Sequence, residues 1–394
     1  MQTQANVRKA ISTAELERRW ALARALLRDE GLDGLIVQNN NIFLGGYARW
    51  FTDVPAEYNH NMTILFHVDA PMSVIRSSFC ELDSSYFRGV SNLINLPVCP
   101  SLSGSGKREA EQLARLVKKH GYTRLGYVGK ALLSSGMMLG IAGLCPQLEL
   151  VNMSDQIDRI KARKSPEEME FLRETVRIHD IALAALPAIV RPGMPESEIR
   201  SELIRLVSNL GSEEQLLFMG TAKPGECSGM HTSCYVNRRV EKGDYGTILV
   251  EVSGPGGFYG EAARNFVLGE PSKQMAEDWQ VAVEAQRLMQ QMVKPGIPAS
   301  DIVKSYNKYV SEKGYNEEDR LFGHSQGYDL VERPAMMRYY EGYNEDMVFE
   351  EGMFISLHPY FIDATRTIYI NDNYYVGEDS TEKLNTTPAE IIII

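Results

Sequence analysis

Residues 323–334 read Gly323-His324-Ser325-Gln326-Gly327-Tyr328-Asp329-Leu330-Val331-Glu332-Arg333-Pro334. One histidine stands between two glycines, an acid follows at Glu332, and a proline closes the run. A second histidine-proline pair, His358-Pro359, comes after the apolar stretch Phe354-Ile355-Ser356-Leu357. Upstream, Glu251 and Glu261 lie on strand-like segments joined by Ser253-Gly254-Pro255-Gly256-Gly257. Glycines of that kind favour a hairpin, which sets the two acids on adjacent strands. Carboxylates in apolar surroundings need partners. Glu251 and Glu261 therefore bind a cation, pair with Arg264, or orient a cationic substrate. The glycines beside His324 allow close approach of a ligand to the backbone. Glu332 reads as an acid/base group or as a residue that orients one. His231, in Gly229-Met230-His231-Thr232-Ser233, is either a satisfied structural residue or a proton carrier.

Around this segment the chain has 394 residues, 44% of them hydrophobic and 24% charged, enough for two cores. The formal net charge of -11 argues against nucleic acid or an anionic membrane as the main partner. The first twenty residues carry no apolar core of a secretory signal, and no run reaches membrane-spanning length. The closing Ile391–Ile394 packs on a core, extends a strand, or frays. Five cysteines are scattered at Cys80, Cys99, Cys145, Cys227 and Cys234, with no Cys-x-x-Cys pair. A reduced, cytoplasmic protein is the simplest expectation.

Helices and strands alternate up to about residue 150, which predicts an α/β domain over 1–152. The basic run 159–166 reads as an exposed junction. The remainder, 153–394, carries a weak internal repeat. Ile189-Val190-Arg191-Pro192-Gly193-Met194-Pro195 resembles Met292-Val293-Lys294-Pro295-Gly296-Ile297-Pro298, each after a long amphipathic helix and before another. Strands are expected at 216–219, 232–237, 247–252, 263–268, 353–357 and 367–370. The pattern is that of two similar helix–strand halves, or a chance likeness of two Pro-Gly turns.

Together these residues resemble the pita-bread superfamily of creatinase, proline-specific aminopeptidases, prolidase and methionine aminopeptidase. The resemblance covers nearly the whole chain. It implies an α+β fold, with a pita-bread catalytic domain behind a smaller creatinase-type α/β domain. Metallopeptidases of this superfamily hold two metal ions with two aspartates, a histidine and two glutamates. Carried over by motif, those positions fall at or beside Glu251, and on Glu261, His324, His358 and Asn371. The substrate-facing histidine that precedes Glu332 in the family pattern falls on Val331, and His231 matches a substrate-side histidine. Imidazole cannot bridge two cations through two oxygens, and asparagine brings no charge.

These departures favour the creatinase or ectoine hydrolase branch. The function expected is a metal-independent, non-peptidase C–N hydrolase acting on a small amino-acid-derived, guanidino or amidino compound. The expected catalytic residues are His231, Glu261, His324, Glu332 and His358. Glu251, Tyr259, Arg264 and Tyr328 would bind substrate. Arg49 and Trp50 would reach over the partner's site in a homodimer. No cofactor is expected. The alternatives are an ectoine-type cyclic amidine hydrolase, a metal-dependent lyase on a small carboxylate such as dimethylsulfoniopropionate, an Xaa-Pro peptidase, and a non-catalytic binding protein. If a metal is bound, one Fe, Zn or Mn ion would sit among Glu251, Glu261, His324 and His358.

Overall fold

The computed structural model describes residues 9–39, 43, 46–56, 60–77, 86–97, 102–232, 235–337 and 347–394. Cys80, Cys99 and Cys234 lie outside them, whereas Cys145 is a buried thiol and Cys227 an exposed one. The chain divides into two compact units, Lys9–Lys161 and Ala162–Ile394.

The first unit is built on a six-stranded mixed sheet. Its order is Val90–Leu96, Met72–Ser77, Met62–His67, Gly34–Asn39, Arg124–Tyr127, Glu149–Asn152. The three strands at 34–39, 62–67 and 72–77 are buried on both faces, which is why they read as near-continuous apolar runs rather than alternating ones. Helices Leu102–His120 and Ser135–Leu144 supply much of the core over them. Arg49 and Trp50 sit on the short helix Gly46–Thr52, and both are buried in this unit. The Trp50 ring meets Phe51 edge-on and lies under the Arg19 guanidinium at 5.5 Å.

His67 makes this unit acid-sensitive. Its ring is buried between Tyr122, whose hydroxyl is 2.7 Å from Nδ1, and Ser73, whose hydroxyl is 2.9 Å from Nε2. Burial, then the nearby His120, Arg24 and Lys119, push its pKa from 6.5 down to about 4. The unfolded chain therefore takes up a proton that the folded one refuses. The stability tied to His67 is complete above about pH 6.5 and drains away as pH falls towards about 4. His67→Gln is expected to flatten that part of the stability–pH curve, read by urea unfolding with Trp20 and Trp50 fluorescence. An unchanged slope would remove His67 as its source.

In the second unit the internal repeat is real. Helices Pro166–Ala184 and Glu196–Asn209 form one half, and Lys273–Met292 and Ala299–Glu312 the other. Ser165 and Glu168 close a capping box ahead of the first helix, with Pro166 in its first turn. The two Pro-Gly turns use positive φ at Gly193 (92°) and Gly296 (86°), which glycine adopts without strain. The hydrogen bonds repeat as well. Gly193 N–H and Glu196 N–H donate to the carbonyls of Val240 and Arg238. Gly296 N–H and Ala299 N–H donate to those of Phe349 and Met347. Identical two-residue spacing at both turns excludes chance likeness.

The two halves carry two sheets. One has the order Ile392–Ile393, Tyr259–Val267, Tyr245–Ser253, Gln215–Ala222. The other has the order Glu332–Ala335, Gly323–Ser325, Phe354–Leu357, Asp372–Val376, Thr381–Lys383. The terminal isoleucines thus extend a sheet, pairing in parallel with Phe266 and Val267. The architecture is two-domain α+β with a pita-bread catalytic domain, as the resemblance implies. Two local expectations fail. The described residues of the segment expected as a strand at 232–237 form no strand; the neighbouring His231 makes an isolated bridge to Met219. A Cβ at Gly220 would lie 2.0 Å from the Ser228 carbonyl oxygen, so the chain just before His231 passes close over strand Gln215–Ala222. The junction at 159–166 is not an exposed basic linker either, because Lys161, Lys164 and Ser165 are buried. No helix among the described residues is long and apolar enough to cross a membrane.

Candidate metal centre

The hairpin read from the glycines places Glu251 and Glu261 directly opposite each other on antiparallel strands. Two cross-links then tie this hairpin to the second sheet. Ala263 and Asn371 exchange both backbone hydrogen bonds at 3.2 Å, and the Tyr259 N–H donates to the Gly327 carbonyl at 2.6 Å. Glu261 lies between these two links. His324 is central in its sheet, paired with Ala335 on one side and Ser356 on the other. His358 leaves the end of strand Phe354–Leu357 with its N–H on the Phe322 carbonyl at 3.0 Å.

These constraints bring three side chains to one point. Glu261 Oε1 is 3.2 Å from His324 Nε2 and 3.6 Å from His358 Nε2. One ligand atom from each of the three lies within 4.8 Å of the others, and all three residues are buried. Among the described residues, Glu261 Oε1 and both His358 ring nitrogens have no hydrogen-bond partner. Buried polar atoms left so are costly and rare. Glu261 Oε1 and His358 Nε2, 3.6 Å apart and both unpartnered, fit a cation between them. The protonation states agree with this. His324 places Nδ1 3.0 Å from the Ser325 carbonyl, which assigns the ring proton there and turns the Nε2 lone pair to Glu261. Burial presses His358 down to about 4, so its ring is neutral at pH 7. Burial would raise the Glu261 carboxyl, but His324, His358 and hydrogen bonding hold it well below its usual range. Two imidazoles and one carboxylate form a donor set suited to a divalent transition-metal ion.

The other expected residues take distinct places. Glu251 is buried, accepts a 3.4 Å hydrogen bond from Gln326 Nε2, and is pushed up by burial and by the facing Glu261. It stands outside the three-residue set. Glu332 receives the Lys164 ammonium at 2.6 Å, both side chains being buried. Arg264 is fully buried, but its ion pair is with Asp372 at 2.7 Å, not with Glu251 or Glu261. It also donates to the carbonyls of Asn371, Thr387 and Pro388, tying the terminal segment to the sheet. Tyr259 is buried in its strand, and Tyr328 stacks on Phe258 at 4.2 Å. The His231 carbonyl is held by Arg200 Nη2 at 2.6 Å. Arg49 and Trp50 belong to the other unit. Sequence reasoning did not anticipate Lys164, Gln326 or Tyr360. Lys164 directly precedes the capping box, and that was its available signal. The Tyr360 ring stacks on His358 at 6.1 Å and takes the Arg320 guanidinium over it at 4.2 Å. Tyr360 and Arg320 line an open cleft of about 710 Å³.

Against known proteins, residues 170–378 match the model of metallopeptidase family M24. The chain is 25% identical over 286 residues to the uncharacterized peptidase YqhT of Bacillus subtilis, covering 71% of this chain and 78% of that protein. It is 24% identical over 247 residues to an Xaa-Pro dipeptidase of Pyrococcus furiosus, covering 62% and 69%. Among solved structures it superposes on an X-Pro aminopeptidase from Thermotoga maritima with a TM-score of 0.79 at 18% identity, covering 95% and 99%.

These findings correct the functional expectation. A metal-free, cofactor-free site is overturned by the buried Glu261–His324–His358 set. The creatinase and ectoine branches, and with them a non-peptidase C–N hydrolase, are overturned by that set together with the metallopeptidase match. The physical reason is local. Histidine at 358 was weighed as a lost bridging carboxylate, yet imidazole is a full metal ligand in its own right. The side chain that stands in place of a carboxylate can itself ligate a metal.

Proposed function

The chain belongs to metallopeptidase family M24, and on that premise we propose that it is a metal-dependent peptidase cleaving short Xaa-Pro substrates. The observation that carries this reading is the convergence of Glu261, His324 and His358 with unpartnered, buried donor atoms. The names of the Xaa-Pro dipeptidase and X-Pro aminopeptidase relatives support the substrate class. Glu261, His324 and His358 would hold the ion. A divalent ion in such a site polarises a carbonyl oxygen and makes bound water nucleophilic near neutral pH. The protein's own part is to fix the three donors and shape the approach. The Ser325 carbonyl sets the His324 tautomer. Tyr360 and Tyr369 pack on His358 at 6.1 and 5.9 Å and keep bulk water from that side. The free thiols Cys145 and Cys227 suit a cytoplasmic enzyme. A homodimer is the assembly proposed with it, checked by light scattering.

A peptide panel tests the reading. Protein loaded with Mn(II) or Zn(II) is expected to release proline from Ala-Pro and Leu-Pro much faster than it cleaves Ala-Ala or Leu-Ala. Equal rates would remove the proline preference. No cleavage of any peptide would remove the peptidase assignment.

A further inference from the structure

We propose that this centre holds one metal ion per chain and that a neutral amide–hydroxyl network, with Asn371 at its heart, closes it to a second. The inference rests on the metal-dependent reading above and specifies its stoichiometry. Two-metal hydrolytic sites keep their ions about 3.5–4 Å apart, and anionic ligands bridge and neutralise the pair. Beyond Glu261, the buried side chains next to the triad include Glu251, Gln326, Ser356, Asn371 and Asn373. Four of these five are neutral.

Those four are also engaged with one another and with the acids. Gln326 Nε2 donates to Glu251 Oε1 at 3.4 Å. Ser356 Oγ lies 3.4 Å from Gln326 Oε1, 3.2 Å from Asn371 Oδ1 and 3.3 Å from Asn373 Oδ1. Asn373 is bound to the Glu261 backbone in both directions. Its Oδ1 accepts from Glu261 N–H at 3.2 Å, and its Nδ2 donates to the Glu261 carbonyl at 2.8 Å. Asn371 joins the network through Oδ1, which accepts from Ser356, while its Nδ2 is buried with no partner among the described residues. Its backbone is pinned by the exchange with Ala263. It cannot withdraw without breaking the link between the sheets.

Charge decides between one ion and two. Two divalent ions bring four positive charges into a buried site whose nearest anions are Glu261 and Glu251. These two carboxylates supply at most two negative charges, and buried charge without partners is strongly disfavoured. One ion would be held by Glu261, His324 and His358 and would ask nothing of Gln326 or Asn371. The same count predicts how to create a second site: return a carboxylate to position 371.

The test is a binding count, independent of turnover. Metal-free protein is dialysed against Zn(II), and separately Mn(II), and bound metal per chain is read by mass spectrometry of the element. One ion per chain is expected for the native protein. In Asn371→Glu the count is expected to rise to two, with the first ion retained. Two ions in the native protein would overturn the proposal, while leaving the peptidase reading intact. A folded Asn371→Glu that still binds one would overturn the role of Asn371. No bound metal at all would remove both this proposal and the metal-dependent reading. Should the variant not fold, the native count alone decides.

Discussion

Glu261→Gln is expected to lower metal affinity by at least about a hundredfold and to lower peptide hydrolysis with it. The substitution keeps the shape of the side chain but removes the only charge in the ligand set. Loss of a residue that merely orients a metal ligand costs roughly 10–100-fold, and Glu261 is a ligand itself. The fold should survive. The amide would keep the size and shape of the side chain in its buried strand, so the test is the response to metal rather than the metal-free melting temperature. The distinguishing readout is thermal. A metal that binds only the folded state stabilises it by about 2.7 kcal/mol at a hundredfold excess over its dissociation constant. The native protein is expected to show that upward shift of melting temperature with Zn(II), and Glu261→Gln to lose it. A variant that melts at the native temperature without metal and still shifts with it would take Glu261 out of the ligand set.

Lys164→Met is expected to destabilise the unit formed by residues 162–394 by about 3–5 kcal/mol. The Lys164–Glu332 contact of 2.6 Å is buried on both sides. Removing one partner of such a pair leaves the other charge buried, which costs about that much. The pair joins positions 168 residues apart in the chain. One end is the segment entering the first helix, and the other is the strand that pairs with His324. Gly327 is part of the same arrangement, because a Cβ there would come within 2.7 Å of the Glu332 carboxylate. Restoring neutrality with Lys164→Met and Glu332→Leu together is expected to recover most of the loss. Urea unfolding followed by Trp279, which lies in this unit, makes the measurement. A loss under 1 kcal/mol for the single variant would mean that Glu332 does not depend on Lys164.

What the sequence disclosed depended on the range of the interaction. The hairpin between Glu251 and Glu261 is local, and its glycines announced it. The repeat was legible in two seven-residue copies, and the paired hydrogen bonds at Gly193 and Gly296 bear it out. His324 and His358 could be singled out by their neighbours, but their meeting with Glu261 depends on the Ala263–Asn371 exchange between two sheets. No spacing encodes that exchange. Lys164 looked like part of a solvated basic run because its partner is far away in sequence. The metal was misjudged for a different reason. Counting lost carboxylates measured the charge available for bridging two ions, and said little about the donors available to one.

Hydrolysis at this site depends on a bound metal ion held by Glu261, His324 and His358 in the function proposed here. The most direct measurement is proline release from Ala-Pro by one preparation in three states: as purified, after exhaustive chelation, and after addition of Mn(II) or Zn(II) to the chelated protein. The expected result is loss of activity on chelation and recovery on reloading, with Glu261→Gln inactive in all three states. Undiminished hydrolysis by protein shown to be free of metal would contradict it.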